Sequence, residues 1–278
     1  MVRINGQSIK ESDESGEIRM EIKTAIKSIV GAVRTIENWP TFLSKYFAIM
    51  GQGNVTYRFR NGIRLKMRGS ESDVVIVEGI WIHKFYNPEG FEINDGDIVV
   101  DIGSHVGVFS IFASLNNKKG KILAFEPISR NFDIINYNIK INKIKNITPI
   151  KKAVAATDGK KKMFLGFVDS TSSFKKSKYV KNDFINVQTI TLKSIFNQYH
   201  IKQIDFLKMD CEGEEYEILF KCPDSIFKKI KKISLECHNI DSKWNLNSLK
   251  KFLERKGFEV EVRQPIQKLT NMVYAKQQ

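Results

Sequence analysis

Residues 98–110, IVVDIGSHVGVFS, constrain this chain more than any other stretch. Ile98, Val99 and Val100 form an apolar, β-branched run that reads as a buried parallel strand. Asp101 stands at the strand's end, Gly103 and Gly107 frame a tight turn, and 108–115 reads as a helix. Strand, acid, glycine turn and helix are how an open α/β sheet builds a ligand crevice at its carboxyl edge. Glycine lets the backbone approach a ligand closely, and the free N–H groups of a new helix bind carboxylate or phosphate.

The motif narrows the ligand. The dinucleotide fingerprint G-x-G-x-x-G is absent, because its second glycine would fall at His105 and its third at Val108. A histidine there would obstruct a pyrophosphate. Lys121–Phe125 reads as the next strand and ends in Glu126 and Pro127. An acid at the tip of strand two is placed to accept hydrogen bonds from ribose hydroxyls. Adenosine with an amino-acid tail and no phosphate points to S-adenosylmethionine. The candidate cofactor set is Asp101, Gly103, Ser104, His105, Gly107, Glu126 and Pro127, with Ala153 on the third strand; His105 would touch the methionine tail.

At 278 residues and 42% hydrophobic, the chain can bury a full core. Its net charge of +14 suits an anionic partner or a lysine-covered solvated face, and the lysines come in short scattered runs such as 160–162, 175–178 and 228–232. Cys211, Cys222 and Cys237 fit neither a disulfide framework nor a zinc motif and read as core thiols. With no run of 18 apolar residues and a polar start, the expectation is a soluble, cytoplasmic protein.

In chain order, Ile18, Ile22, Ile26, Ile29, Val33 and Ile36 recur at helical spacing and predict one amphipathic helix, which packs on its own domain or contacts a second copy or a membrane surface. Alternating residues around Asn61-Gly62 predict a hairpin. Residues 74–85 are apolar and of undecided type. The expected division is a helical extension over 1–50, a small β-rich cap over 51–95 and the main domain over 96–278. Ser129 caps a helix whose buried face is Phe132, Ile135 and Ile139. Residues 147–155 predict an edge strand, because Pro149 and two lysines lie in it. Between 157 and 183 only a short strand at 163–167 and a loop at 170–173 are expected. Strands follow at 187–192, 204–210, 230–237, 258–262 and 272–275, with helices at 194–199, 214–220 and 246–256.

The ends of the strands at 204–210 and 230–237 carry Asp210, Glu212, Glu236 and His238, with Glu215 one turn into the next helix. A side-chain period of two puts Glu236 and His238 on one face. Three roles fit this cluster: a base with orienting partners, a holder of a hard cation such as Mg²⁺, or a structural network. The reading adopted is catalytic, with His238 as base and Asp210, Glu212 and Glu236 as partners; Mg²⁺ is an alternative and no metal ligand is assigned. His83 and His200 read as surface or cap residues.

VVDIGSHVGVFS, AFEP, FLKMDCEGEEYEIL and ISLECH together resemble the FkbM-type S-adenosylmethionine-dependent methyltransferases. The K-x-D-x-E-G-x-E run from Lys208 to Glu215 is the most specific part. The resemblance implies a Rossmann-like class I methyltransferase sheet of seven strands, mostly parallel with the last antiparallel, and helices on both faces. It implies an O-methyltransferase acting on sugar hydroxyls or polyketide alcohols. Where the family usually has Ala-Asn in the turn, this chain has Ser104-His105. A sugar, glycan or glycolipid-type acceptor is the leading expectation. An RNA methyltransferase is second, motivated by charge, though the N/D-P-P-Y and Pro-Cys signatures are missing. A non-catalytic membrane or partner adaptor is third.

Overall fold

The computed structural model describes residues 3–278 except 5, 6, 9–14, 48, 52, 70, 167–171, 175–179 and 265–269. The chain divides into two compact units: 1–85 with 140–143, and 86–139 with 144–278.

The first unit holds helices α1 (Ser15–Thr35) and α2 (Trp39–Tyr46), an antiparallel hairpin of β1 (Val55–Arg58) and β2 (Arg64–Met67), and α3 (Glu71–Val77). The hairpin turns at Asn61-Gly62 as expected, with Gly62 at φ +89°. The undecided stretch 74–85 is helical: α3 runs into a π-helical turn over Glu78–Ile82. The stripe on α1 holds in part: Ile36 is buried and Ile29 and Val33 are half-buried, Ile26 is 55% exposed, and the side chains of Ile18 and Ile22 lie outside the described residues. Ser28 and Ala32, which the stripe did not include, are buried. The reason is polar: the Ser28 hydroxyl meets the buried Glu78 carboxylate and lies 3.0 Å from His83 Nε2. His83 is therefore a buried partner rather than the surface residue expected, while His200 is exposed.

The second unit is built on a sheet of seven strands. In chain order these are β3 (Ile98–Ile102), β4 (Lys121–Phe125), β5 (Ile147–Ile150), β9 (Ile204–Met209), β10 (Ile230–Cys237), β11 (Phe258–Arg263) and β12 (Asn271–Gln277). Their order across the sheet is β11-β12-β10-β9-β3-β4-β5, and β12 runs antiparallel to both neighbours while the rest are parallel. β5 is the edge strand, as Pro149 requires. The order reverses between β3 and β9, which opens the crevice at their carboxyl ends. Every residue of β9 is buried, and β3 and β4 are buried beyond their first residue, as strands covered on both faces must be.

Residues 153–190 form more sheet than expected. β6 (Ala153–Val154), β7 (Gly159–Gly166) and β8 (Val180–Ile190) make a second, three-stranded sheet in the order β6-β8-β7. β7 carries Lys160, Lys161 and Lys162 in succession, which hides it from a period-two reading. The loop expected at 170–173 and the lysine run 175–178 lie largely outside the described residues. The helices are α4 (Val108–Asn116), α5 (Ser129–Ile141), α6 (Leu192–Gln198), α7 (Glu215–Phe220), α8 (Asp224–Phe227) and α9 (Leu246–Arg255). Thr191 caps α6, and Asn245 with Ser248 forms a reciprocal cap on α9. All three cysteines are free thiols. Among the described residues no helix is long and apolar enough to cross a membrane.

Candidate active site

The glycine turn follows β3. Gly103 has φ +74°, and a Cβ there would stand 1.8 Å from the Asp210 carbonyl oxygen, so only glycine fits. His105 takes the left-handed conformation at φ +51°, which Asn, the usual family residue there, also tolerates well. The N–H groups of Gly103 and Ser104 donate to Phe125 O at 3.1 and 3.0 Å, tying the turn to the end of β4. Ser104 is buried, and its hydroxyl donates inward to Asp101 O at 3.0 Å. Gly107, at φ +86°, opens α4.

The two strand-tip acids behave differently. Asp101 is fully buried; it lies 3.1 Å from the Lys208 ammonium and accepts from the Ser110 hydroxyl at 2.5 Å. Glu126 is 4% exposed. Its Oε2 accepts from His105 N–H at 2.9 Å, and its Oε1 accepts from Ile128 N–H at 2.9 Å and Asn131 Nδ2 at 3.2 Å. Asn131 lies on α5, whose deepest face is Asn131, Ile135 and Asn138, displaced from the expected Phe132 and Ile139, which are half-buried. Asn138 Nδ2 donates to Val106 O at 3.1 Å, a second brace on the turn. Pro127 is half-buried beside Glu126. Ala153 packs in a small apolar cluster with Ile128, Met163 and Val187.

The acids expected at the ends of β9 and β10 do converge. His238 Nδ1 is 3.2 Å from Glu215 Oε1, while its Nε2 is 3.6 Å from Glu212 and 3.9 Å from Glu236. Glu212 has φ +54° and Gly213 +98°, a sharp turn that brings Glu212 back over the strand end. The Tyr216 hydroxyl donates to His238 O at 3.0 Å and holds that backbone in place. Asp210, Glu212 and His238 present donor atoms within 4.8 Å of one another, a geometry in which one ion could sit.

Residues 101–260, more than half of the chain, match the family described as the Methyltransferase FkbM domain. The chain belongs to the FkbM methyltransferase family. Methyltransferase 1 of Beauveria bassiana is 25% identical over 207 residues, which cover 67% of this chain and 81% of that protein. The 31-O-demethyl-FK506 methyltransferase FkbM of Streptomyces tacrolimicus is 23% identical over 238 residues, 75% of this chain and 90% of that protein. The solved structure of Methyltransferase FkbM from Methylobacillus flagellatus is similar with a TM-score of 0.50 at 14% identity, over 92% of this chain and 60% of that one. That likeness bears on the fold, which is the class I methyltransferase fold the sequence motifs imply.

The electrostatics of this FkbM-family site bear on the expected base. Burial alone would lower the His238 imidazole, but the charges of Glu215, Glu212 and Glu236 outweigh it and hold it up at about 10. The surrounding carboxylates thus favour the imidazolium form of His238. Burial pushes the Glu212 carboxyl up to about 8, with His238 opposing and Asp210, Glu215 and Glu236 adding. Burial likewise raises Glu126 to about 7 against the pull of its three donors and Lys208.

Two residues of this FkbM-family methyltransferase have roles that the sequence did not assign. Lys208, the first residue of the K-x-D-x-E-G-x-E run, is buried; its ammonium donates to Gly103 O at 2.8 Å as well as pairing with Asp101. A lysine inside the mostly apolar IDFLKM strand was the available signal. Thr270, beyond the matched region, donates to Glu236 Oε1, and nothing in the sequence marks it.

Proposed function

We propose that this methyltransferase uses S-adenosylmethionine to methylate a hydroxyl of a sugar, glycan or glycolipid-type acceptor. The observation that carries this reading is the cluster of Asp210, Glu212, Glu215 and Glu236 around one imidazolium, next to the glycine turn. Carboxylates accept hydrogen bonds from neutral hydroxyls and repel phosphates. A polyhydroxylated acceptor therefore fits this edge better than an RNA backbone does. The name of the Streptomyces relative, which specifies an O-demethyl substrate, supports oxygen as the methylated atom.

The residues present fit the cofactor. Glu126 Oε2 carries one protein donor and retains acceptor capacity for a ribose hydroxyl, so it would bind one hydroxyl rather than the two expected. The turn around Gly103 and Gly107, with its α4 N–H groups, would receive the methionine carboxylate. Asp101 acts indirectly, by holding Lys208 against the turn. Bound S-adenosylmethionine supplies the electrophilic methyl group. On the protein side, Asp210 and Glu236 accept hydrogen bonds from acceptor hydroxyls, and Glu212, which burial raises to about 8, takes the proton.

The test is methyl transfer from labelled S-adenosylmethionine to sugar, lipid-glycan and tRNA pools, with and without chelator. Label in the sugar or lipid-glycan fraction, insensitive to salt, is the expected result. Labelled nucleoside, with binding that falls by about 10³-fold between 50 and 200 mM salt, would overturn the acceptor class. Activity lost with chelator and restored by Mg²⁺ would assign the acids to an ion instead.

A further inference from the structure

Tyr86 lies upstream of the residues that define the family match, and it is 4% exposed. Its hydroxyl donates to Asp210 Oδ2 at 2.7 Å and reaches Glu236 Oε2 at 3.1 Å. One phenol thus spans the tips of two adjacent strands, β9 and β10. Its ring face lies 5.1 Å from the Lys208 ammonium, and its edge meets Phe109 of α4 at 5.6 Å between centroids. Lys208 in turn holds the carbonyls of Gly103 and Ile102 at 2.8 and 3.3 Å. The two ends of this side chain therefore touch two different parts of the site: the clamp on the cofactor turn, and the acids on the acceptor side.

We propose that Tyr86 is a positioning residue for methyl transfer: its ring seats the Lys208 ammonium against the glycine turn, and its hydroxyl fixes Asp210 relative to Glu236. This rests on the reading of the site given under Proposed function. The physical reason is alignment. An in-line displacement needs the acceptor oxygen and the methyl group in register, and small displacements of either reduce the rate steeply. A carboxylate that has lost its phenol donor is held less tightly in one orientation and also holds a proton more readily. The groups around this point are Asp210, Glu236 and Lys208 in direct contact, with Glu212 and His238 beyond them. Burial and the two carboxylates push the phenol well above its ordinary value, so it stays a donor throughout the working range.

Two variants of the full chain separate the two ends of the residue. Tyr86→Phe keeps the ring and removes the hydroxyl; Tyr86→Leu removes both. Calorimetry with S-adenosylhomocysteine reads the cofactor side. Transfer of label to methyl α-D-glucopyranoside and methyl α-L-rhamnopyranoside, followed against pH, reads the acceptor side. For Tyr86→Phe the expected result is S-adenosylhomocysteine affinity within about twofold of wild type, kcat lower by about 10-fold or more, and KM little changed. The acid limb of its pH profile, which Glu212 sets, should shift, because the Asp210 charge beside Glu212 is no longer fixed by the phenol. Tyr86→Leu should also weaken S-adenosylhomocysteine binding, by about 5- to 10-fold, on the scale of a desolvated cation–π contact. Wild-type kcat and an unmoved pH profile in Tyr86→Phe would overturn the inference. So would a loss of thermal stability in that variant with the pH limb unchanged, since the tyrosine would then be only structural. Failure of the wild type to bind S-adenosylhomocysteine, or to label either glycoside, overturns the underlying reading and is recognised before any variant is made.

Discussion

The Lys208 ammonium lies 3.1 Å from the Asp101 carboxylate, and neither side chain is more than 4% exposed. The two residues are direct partners across the parallel β3–β9 ladder, at the point where the sheet order reverses. The pair therefore closes the base of the crevice while Lys208 reaches over to the turn.

Removing one member should be costly. Lys208→Met leaves a buried carboxylate without its cation, a change on the scale of about 3–5 kcal/mol. Adding Asp101→Asn in the same chain should recover a large part of that loss, because no charge is then stranded. Urea unfolding of the two variants checks this; a single variant as stable as wild type would show that the pair carries no weight.

Cofactor binding should be linked to protons. Burial holds Glu126 at about 7, and a ribose hydroxyl is accepted best by the ionised form. Affinity for S-adenosylhomocysteine should rise as pH increases from 6 to 8, with proton release at neutral pH. Glu126→Gln should flatten that dependence and weaken binding at pH 8 by about 1–3 kcal/mol. Titrations in buffers of different ionisation enthalpy measure the released protons directly, and none released would contradict the assignment.

Turnover should follow a bell-shaped pH curve. It rises as Glu212 ionises through about 8 and falls as His238 loses its proton through about 10. Glu212→Gln and Asp210→Asn should each lower kcat by about 10²-fold with S-adenosylhomocysteine affinity kept. His238→Gln should remove the descending limb. A rising limb centred near 6.5 would instead restore histidine as the base.

Stability carries the same signature with a defined sign. The His238 value is raised in the folded state, so its contribution is complete below pH 6.5 and is lost as pH climbs through about 10. Glu212 and Glu126 are raised from 4.5 to about 8 and about 7, so folding favours their protonated forms and stability falls as each ionises. The melting temperature should therefore decline by several degrees between pH 5 and 10. In His238→Gln the slope above pH 6.5 should be shallower; an unchanged slope would show that the imidazolium is not held by its acids.

The strands of the central sheet from residue 98 onward, and most of the helices between them, were legible in the sequence, because runs such as IVVDI and IDFLKM bury both faces and admit few alternatives. So was the convergence of Asp210, Glu212, Glu236 and His238, since strand ends in one parallel sheet meet at one edge. The second sheet was not legible. Its strand β7 is lysine-rich and its pairing is long-range, with Thr189 opposite both Ala153 and Gly159. The faces of α1 and α5 were read incompletely for a related reason: Ser28, Asn131 and Asn138 are buried by their hydrogen bonds, which no hydrophobic period records.

Local sequence by itself determined the glycine turn, the candidate acids and the central sheet, because these rest on residue type and on spacing along one strand or helix. Charge states and pairings were decided by tertiary structure alone. Tyr86 and Asp210 are 124 positions apart in sequence and in contact at 2.7 Å, and Glu215 and His238 are 23 positions apart and in contact at 3.2 Å. An imidazole that a sequence presents as a neutral base is held toward its charged form once the fold gathers carboxylates around it, because their attraction outweighs the cost of burying its charge.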